Sequence, residues 1–253
     1  MDNTHILVYA VVCHQGFVRD RNQDNFWCDG VFLECENNGF PNILTGEVDM
    51  AARPVFAVFD GLGGEVNGEQ AAWLAARTLD DAITYRSMKE ETEFMQEVFS
   101  SMNDSICSYA NSHHIGHMGA TAAVLGFADG AITMCNLGDS RVYLYRQGSL
   151  TRLSIDHTSN IILSGKPCLS QFLGIHEKEF RIEPALSVLE ICSGDSYLLC
   201  SDGLTDMLSD EEIKTVLSIS AMPSGAVELL LEKALNEGGK DNTTIIICTV
   251  NKE

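Results

Sequence analysis

Strand-like segments that are apolar on both faces constrain the fold of this chain most strongly. The runs VFAVF (55–59) and TIIICTV (244–250) are short and rich in β-branched or aromatic residues, which favours β-strands. Successive side chains of a strand point to opposite faces of the sheet. A strand with apolar residues at both odd and even positions therefore needs both faces to be covered. These runs therefore predict two stacked sheets whose outer faces are covered by helices.

The order of the predicted elements favours an α+β fold over a regular alternation of strands and helices. Strands come first, two amphipathic helices follow, and then strands, two more helices and a last strand. Short gaps between neighbouring strands indicate antiparallel hairpins, so we expect antiparallel sheets covered by helices. The elements that set this order are strands at 5–13, 25–35 and 53–61, helices at 68–85, 91–110, 209–218 and 224–236, and a final strand, TTIIICTV.

Composition and charge predict one domain over residues 1–253. The chain has 253 residues, 45% of them hydrophobic, and no proline-rich, serine-rich or charged linker divides it. The formal net charge of −20 repels phosphate backbones and anionic lipids, which argues against nucleic-acid and membrane binding. The acidity serves solubility or reflects clustered carboxylates that hold cations, and composition does not separate the two.

The cysteines and the N-terminal segment indicate a cytoplasmic protein. Nine cysteines without a CxxC pair, several of them inside apolar runs, favour buried free thiols in a reducing compartment over disulfides or zinc sites. The segment MDNTHILVYA lacks the basic and apolar regions of a signal peptide. No apolar run approaches the roughly 20 residues that a membrane span needs.

Aspartates stand at the ends of several apolar strands, often beside glycine. Asp60 ends VFAVF, Asp139 follows AITMCNL, Asp202 follows YLLCS, Asp241 stands just before the last strand, and Asp24 comes immediately before NFWC. Each one alone is a common turn. Several desolvated carboxylates in one place would repel strongly unless cations lay between them, and Mg²⁺ or Mn²⁺ prefers oxygen ligands. Together they predict a divalent-cation site.

Six motifs, in order, resemble those of the metal-dependent (type 2C) serine/threonine protein phosphatases. They are RDRNQD, VFDGLGG, MGATA, NLGDSRVYLYR, SDGLTD and KDNTT, and the match runs from about Gly16 to Val250. The resemblance implies a four-layer α-β-β-α sandwich, with two antiparallel sheets flanked by helix pairs and a binuclear Mg or Mn centre at one end. It also implies a bacterial-like enzyme that hydrolyses phosphoserine and phosphothreonine.

The resemblance assigns a role to each residue of the metal centre. Asp60 would bridge two metals, and the carbonyl of Gly61 would bind one of them. Asp202 and Asp241 would complete the shell of the other metal, and Asp24 would hold metal-bound water in the outer shell. The two ions would lower the pKa of a shared water, so that hydroxide is available near neutral pH to attack phosphorus. Asp60 and Asp202 are thus candidate catalytic residues as well as metal ligands.

Arg19 stands where the family keeps its phosphate-binding arginine. A guanidinium fork suits the paired oxygens of a phosphate, so Arg19 is the candidate catalytic and substrate-binding cation. Arg21 in the same motif suits the role less well. The alternative for a lone arginine in a loop is a solvated surface charge.

Asp139 and Asp206 match positions that, together with Asp202, hold a weaker third metal in many bacterial members. Two structural roles compete with this one: Asp139 would belong to a turn, and Asp206 would cap the helix that begins near Ser209. The sequence leaves both interpretations open.

Three departures from the family pattern bear on mechanism and specificity. Leu62 replaces a residue that is histidine in some members, and leucine cannot donate a proton to the leaving group. Gln23 stands where eukaryotic members carry a metal-binding glutamate. The segment 157–184 is short, so we expect a trimmed flap and a more open metal site. Within this segment, Gly165-Lys166-Pro167 lacks the Ser or Thr of a P-loop and is set aside.

The expected partners are phosphorylated proteins, and the resemblance suggests a cognate serine/threonine kinase as well. We expect a monomer. Two other functions stay open: a catalytically silent module that keeps the fold for partner recognition, and a phosphatase of small phosphate esters. Asp60, Asp202 and Asp241 are all present, which favours an enzyme over the silent module. Substrate choice depends on loops that carry no recognisable code.

Overall fold

The protein is described from a computed structural model covering residues 5–62, 67–86, 90–163, 165–176 and 178–252. Gly63 and Gly64 of the VFDGLGG motif lie outside these described residues. Within them, the strands form two large sheets and a separate hairpin, and all pairings are antiparallel.

The strands are numbered in their order along the chain, which differs from their spatial order in each sheet. The first sheet runs β3 (Gly39–Asp49), β1 (His5–His14), β13 (Thr243–Lys252), β12 (Ser196–Cys200), β7 (Arg141–Arg146) and β8 (Ser149–Arg152). The second sheet runs β11 (Ala185–Glu190), β6 (Ala131–Leu137), β5 (Ala122–Ala128), β4 (Val55–Asp60) and β2 (Asp24–Cys28). The hairpin pairs β9 (Thr158–Leu163) with β10 (Lys166–Leu169).

The helices lie on the outer faces of the two sheets. They are α1 (Gly68–Thr84), α2 (Glu91–Ser112), α3 (Asp202–Thr205), α4 (Asp210–Ile219) and α5 (Pro223–Asn236). Helices α1 and α2 pack on the second sheet, and α3 to α5 pack on the first. No helix in the described part of the chain is long and apolar enough to span a membrane.

Alternating side chains of the strands fill different layers of the core. In β4, Phe56 and Val58 lie in the cluster between the two sheets, whereas Val55, Ala57 and Phe59 pack with α1 and α2. Strand β13 divides its side chains in the same way between the second sheet and helices α3 to α5. The layers therefore run helix, sheet, sheet, helix, and the predicted α+β fold is confirmed.

Two predicted details differ from the structure. The strand expected at 25–35 ends at Cys28, because Asp29 and Gly30 both adopt positive φ and turn the chain back, so that Val31 pairs with Cys28. The cysteines are all free thiols, as expected, but Cys192 is exposed. The buried cysteines are Cys13, Cys28, Cys135, Cys200 and Cys248.

Candidate functional site

The loops at one end of the stacked sheets enclose a cavity of about 200 Å³ that contains most of the predicted site. A larger cavity of about 710 Å³ adjoins it and shares Arg19, Lys166 and Asp241 with it. Asp206 lines the larger cavity. The predicted residues that line the smaller cavity are Arg19, Asp60, Gly61, Asp139, Asp202 and Asp241.

Strand pairing brings these distant aspartates to one edge. Asp24 begins β2 and Asp60 ends β4, and the two residues lie opposite each other in the antiparallel pair. Asp202 follows β12 and Asp241 precedes β13, and these strands are also paired, with Cys200 opposite Ile245. Because the two sheets are stacked, both pairs end at the same rim of the sandwich.

Asp24 is buried beneath the cavity and is only half satisfied by hydrogen bonds. Its Oδ2 accepts from the Ser201 and Thr244 hydroxyls, each at 2.7 Å. Its Oδ1 is buried and has no partner among the described residues. Burial raises the pKa of Asp24 to about 7, although these two hydrogen bonds oppose the shift. An unpartnered buried carboxylate oxygen needs a donor or a cation.

Three carboxyls that line the cavity, those of Asp60, Asp139 and Asp202, also have raised pKa values. Burial raises the pKa of Asp60 well above its ordinary range, and the charges of Asp24 and Asp202 add to the shift. Burial and the charge of Asp202 raise the pKa of Asp139 to about 7. Burial also raises the pKa of Asp202, opposed chiefly by the charge of Lys166. The cluster is therefore poised to bind positive charge.

Two side-chain cations, Arg19 and Lys166, contact this cluster. Arg19 Nη2 lies 2.6 Å from Asp241 Oδ2, and this hydrogen bond raises the pKa of Arg19. Lys166 Nζ lies 2.7 Å from Asp202 Oδ2 and 2.5 Å from Asp206 Oδ2. Lys166 was not predicted as a site residue, because a lysine in a short polar turn carries no signal by itself. The hairpin that bears Lys166 lines the cavity through Lys166, Pro167 and Leu169.

Asn242 fastens the loop of Arg19 to the loop of Asp241. Its side-chain oxygen accepts from the backbone N–H of Gln23 at 2.8 Å, and its Nδ2 donates to the carbonyls of Gln15 and Arg21. The asparagine lies in the KDNTT motif, yet its role depends on a segment more than two hundred residues away. The amide of Asn242 thus joins the two halves of the site, together with the contact between Arg19 and Asp241.

Gly61 allows β4 to approach helix α1. A Cβ at this position would lie 2.2 Å from the carbonyl oxygen of Gly68 and 2.7 Å from that of Gln23. These contacts are with backbone atoms, which cannot move aside cheaply. Only glycine permits this approach, which places Gly61 at the wall of the cavity.

The turn that carries Asp139 is braced by Asp156 and His157, which lie between β8 and β9. The backbone N–H of Gly138 donates to Nδ1 of His157 at 3.2 Å. Two residues on from Asp139, the guanidinium of Arg141 binds Asp156 through Nε and Nη2, with a shortest distance of 2.7 Å. Asp139 therefore belongs to a turn and also lines the cavity.

The alternative that Asp206 caps the following helix is wrong. Ser209 is the N-cap of α4: its hydroxyl accepts from the backbone N–H of Glu212, and the Glu212 carboxylate accepts from the backbone N–H of Ser209. This reciprocal capping box satisfies the helix start without Asp206. The Asp206 carboxylate instead contacts Lys166.

Comparison with known proteins agrees with this geometry. A family model described as protein phosphatase 2C matches residues 45–236. The chain belongs to this family. It is a phosphoprotein phosphatase by class, and protein phosphatase 2C enzymes are metal-dependent hydrolases.

Bacterial members of the protein phosphatase 2C family are similar over nearly the whole chain. The serine/threonine phosphatase stp of Listeria innocua serovar 6a is 30% identical, over 94% of this chain and 93% of its own. The crystal structure of the Mycobacterium tuberculosis serine/threonine phosphatase PstP superposes with a TM-score of 0.79 and 27% identity, over 97% and 99% of the two chains. A PstP catalytic domain in complex with two manganese ions gives a TM-score of 0.78 and 28% identity, over 98% and 100%.

The donors at the cavity fit the metals on which protein phosphatase 2C enzymes depend. Carboxylates and a backbone carbonyl are hard oxygen ligands of the kind that Mg²⁺ and Mn²⁺ take. The buried Oδ1 of Asp24 adds an oxygen without a protein donor. In the described ranges, no three Asp, Glu, His or Cys side chains already close around a common point. The carboxylates surround the cavity instead, with Lys166 and Arg19 among them.

Proposed function

We propose that this protein hydrolyses phosphoserine and phosphothreonine in proteins with two divalent ions, Mn²⁺ or Mg²⁺. The observation that carries the proposal is the convergence of Asp60, Gly61, Asp202 and Asp241 on one cavity, with Arg19 at its wall. When bound, the ions lower the pKa of a water molecule and stabilise the charge on the phosphoryl oxygens. The PstP catalytic domain with two manganese ions supports this number of ions.

Each acidic residue has a distinct part in holding the ions. Asp60 would lie between them, the carbonyl of Gly61 would bind one, and Asp202 and Asp241 would bind the other. Asp24 is fixed through Oδ2 by two hydroxyls, and its Oδ1 is left to accept a hydrogen bond from water in the outer shell. These residues would therefore hold the attacking water in position before the substrate arrives.

Arg19 would bind the phosphate of the substrate. A guanidinium has five N–H donors, so its bond to Asp241 leaves others for phosphoryl oxygens. The side chain is 38% exposed, which allows a substrate to reach it. Leu62, also at the cavity, cannot donate a proton, so the leaving oxygen takes its proton from water or another residue.

The biological setting follows from the family and the composition. Phosphorylated proteins are the substrate class, and we propose that a cognate serine/threonine kinase supplies them. We also propose that residues 1–253 act as one catalytic domain, monomeric and cytoplasmic, in bacterial signalling. The bacterial relatives named serine/threonine phosphatases support this setting.

The test is hydrolysis with and without metal. Purified protein is incubated with p-nitrophenyl phosphate or a phosphothreonine peptide, in Mn²⁺ or Mg²⁺ and then in EDTA. We expect metal-dependent turnover that Asp202→Asn abolishes, because the substitution removes a ligand charge. Asp129→Asn is the matched control: Asp129 is exposed in the β5–β6 turn at positive φ, which asparagine also adopts.

The outcomes separate the candidate functions. Turnover that EDTA leaves intact would overturn the metal mechanism. Absence of turnover with both substrates in both metals would favour the silent module. Turnover of p-nitrophenyl phosphate but not of the peptide would favour a phosphatase of small esters.

A further inference from the structure

A lysine on the hairpin lies among the acids that the family resemblance assigns to a third cation. Lys166 is the first residue of β10, and the β9–β10 hairpin pairs only with itself in the described structure. Its ammonium contacts Asp202 and Asp206 and lies 3.6 Å from Asp241 Oδ2. Its charge also acts on Asp139. Asp139, Asp202 and Asp206 are the three acids of the expected third site.

The contact is electrostatically favourable. The ammonium of Lys166 lies 2.7 Å from Asp202 Oδ2 and 2.5 Å from Asp206 Oδ2, and opposite charges attract strongly at such short distances. The side chain of Lys166 is 51% exposed and that of Asp202 is 18% exposed. One positive charge is thus held between two carboxylates at hydrogen-bond distance. A divalent ion bound between Asp202 and Asp206 would lie about as close to the ammonium of Lys166 as these carboxylates do. The repulsion between the two cations would oppose binding of the ion.

We propose that Lys166 takes the place of the third divalent ion, so that the protein binds two ions and supplies the third positive charge itself. This inference rests on the proposed metal centre. The long side chain brings a charge from the hairpin into the acidic rim, and the same contact ties the hairpin to the site. A lysine is a compact cation on a flexible stem, which suits it to stand where an ion would bind.

Calorimetric titration of the metal-free protein with Mn²⁺ tests this inference. We expect two bound ions for the native chain. Lys166→Met should gain a third ion, or bind its weakest ion about tenfold or more tightly, because the competing charge is gone. Lys166→Gln serves if the methionine variant folds poorly. Lys166→Arg keeps the charge and should behave like the native chain.

Two controls separate a local contact from a change of net charge. Lys240 is exposed and lines the larger cavity beside Asp241, and none of the ion pairs of the described residues involves it. Lys240→Met removes the same charge and should change Mn²⁺ affinity by about threefold or less, as for a solvent-screened charge. The double variant Lys166→Met, Asp206→Asn should lose the additional Mn²⁺ binding of Lys166→Met. The reason is that it lacks the Asp206 carboxylate, which Lys166 contacts in the native chain and which the methionine variant leaves free for the ion.

The results distinguish this inference from the proposed function. If neither the native chain nor Lys166→Met binds Mn²⁺, the metal centre itself is wrong. If both bind two ions with equal affinities, the metal centre stands and the role of Lys166 is overturned. An equal gain for Lys240→Met would also overturn it, since net charge alone would then explain the change.

Discussion

At the scale of single residues, Gly203 lies where two loops of the acidic cavity meet. It is the second residue of α3, directly after Asp202. A Cβ at this position would lie 2.0 Å from the carbonyl oxygen of Asn242 and 2.7 Å from Oγ1 of Thr243. The loop that carries Asp202 can therefore approach the loop that carries Asp241 only because residue 203 has no side chain.

Gly203→Ala should push these loops apart. We expect unfolding free energy to fall by about 1–3 kcal/mol, as for overpacking of a tight interior, and Mn²⁺ affinity to fall with it. Urea denaturation and metal titration measure the two effects. The control is Gly225→Ala in helix α5, where a Cβ would meet no atom of another part of the chain within 4 Å. The unfolding free energy of this variant should stay the same or rise by up to about 1 kcal/mol. Equal stability of the two variants would contradict the packing argument.

Arg19→Ala should weaken binding of the phosphorylated substrate. Hydrogen bonds to charged groups contribute about 1.5–3 kcal/mol, so we expect kcat/KM to fall about ten- to hundredfold, mainly through a higher KM. Steady-state kinetics with a phosphothreonine peptide measure this change. Arg21→Ala is the matched control, because Arg21 is 75% exposed and pairs with Glu69 rather than with Asp241. A larger loss for Arg21→Ala would transfer the phosphate-binding role to Arg21.

Residues of the site differ in how far the sequence could predict them. Asp60, Asp139, Asp202 and Asp241 were predictable because each interrupts or borders an apolar strand, and the structure brings them to one cavity. Lys166 was not, because its importance comes from contacts with residues 36 or more positions away. The Ser201 and Thr244 hydroxyls that hold Asp24 resemble ordinary strand-end residues for the same reason.

At the scale of elements, an ion pair between half-exposed Arg146 and buried Asp195 joins β7 to the start of β12. Asp195 is 1% exposed and accepts hydrogen bonds from Arg146 Nε at 2.7 Å and Nη2 at 2.6 Å. It also accepts from the backbone N–H of Cys192 and from the hydroxyl of Tyr197. Burial alone would raise the pKa of Asp195, but the bonds from Arg146, Cys192 and Tyr197 lower it below its usual value.

This depressed pKa predicts a pH-dependent effect of Asp195→Asn. A carboxyl whose pKa is lower in the folded than in the unfolded state stabilises the fold above its unfolded pKa of 3.8. That stabilisation is lost as the pH falls through the folded pKa. The variant should therefore be less stable than the native chain at pH 7. The difference in unfolding free energy between the two should become smaller below about pH 4. Denaturation by urea across this range measures the difference. A difference in unfolding free energy that stays constant across this pH range for Asp195→Asn would rule out the linkage.

Helices were more predictable than strands. All four predicted helices begin and end within two residues of the observed ones, because their buried faces repeat every turn. Strands β3, β9, β10 and β11 were not predicted. Their side chains are mostly exposed or half-buried, so they lack the apolar pattern that marks the central strands. The partners of such edge strands, rather than their own residues, determine their conformation.

At the scale of the whole molecule, the layers were predictable because apolar residues occupy both odd and even positions of the central strands. Strands that bury both faces need a sheet on one side and helices on the other, and β4 and β13 divide their side chains in this way. The order of the strands within each sheet was harder to predict from the sequence. No feature of the sequence indicates that β1 pairs along its length with β13, because two apolar strands of this kind could pair with several neighbours.

The position of β13 between β1 and β12 has a consequence for synthesis of the protein. The ribosome makes this inner strand after every other strand of the described chain, so a nascent chain cannot finish the first sheet until translation has passed residue 243. Until then β1 and β12 each expose an unpaired edge, and Asp241 has not been drawn to the other carboxylates. Dephosphorylating activity should thus switch on only after β13 has been made and paired with β1 and β12, and a chaperone that shields those two edges would protect the growing polypeptide.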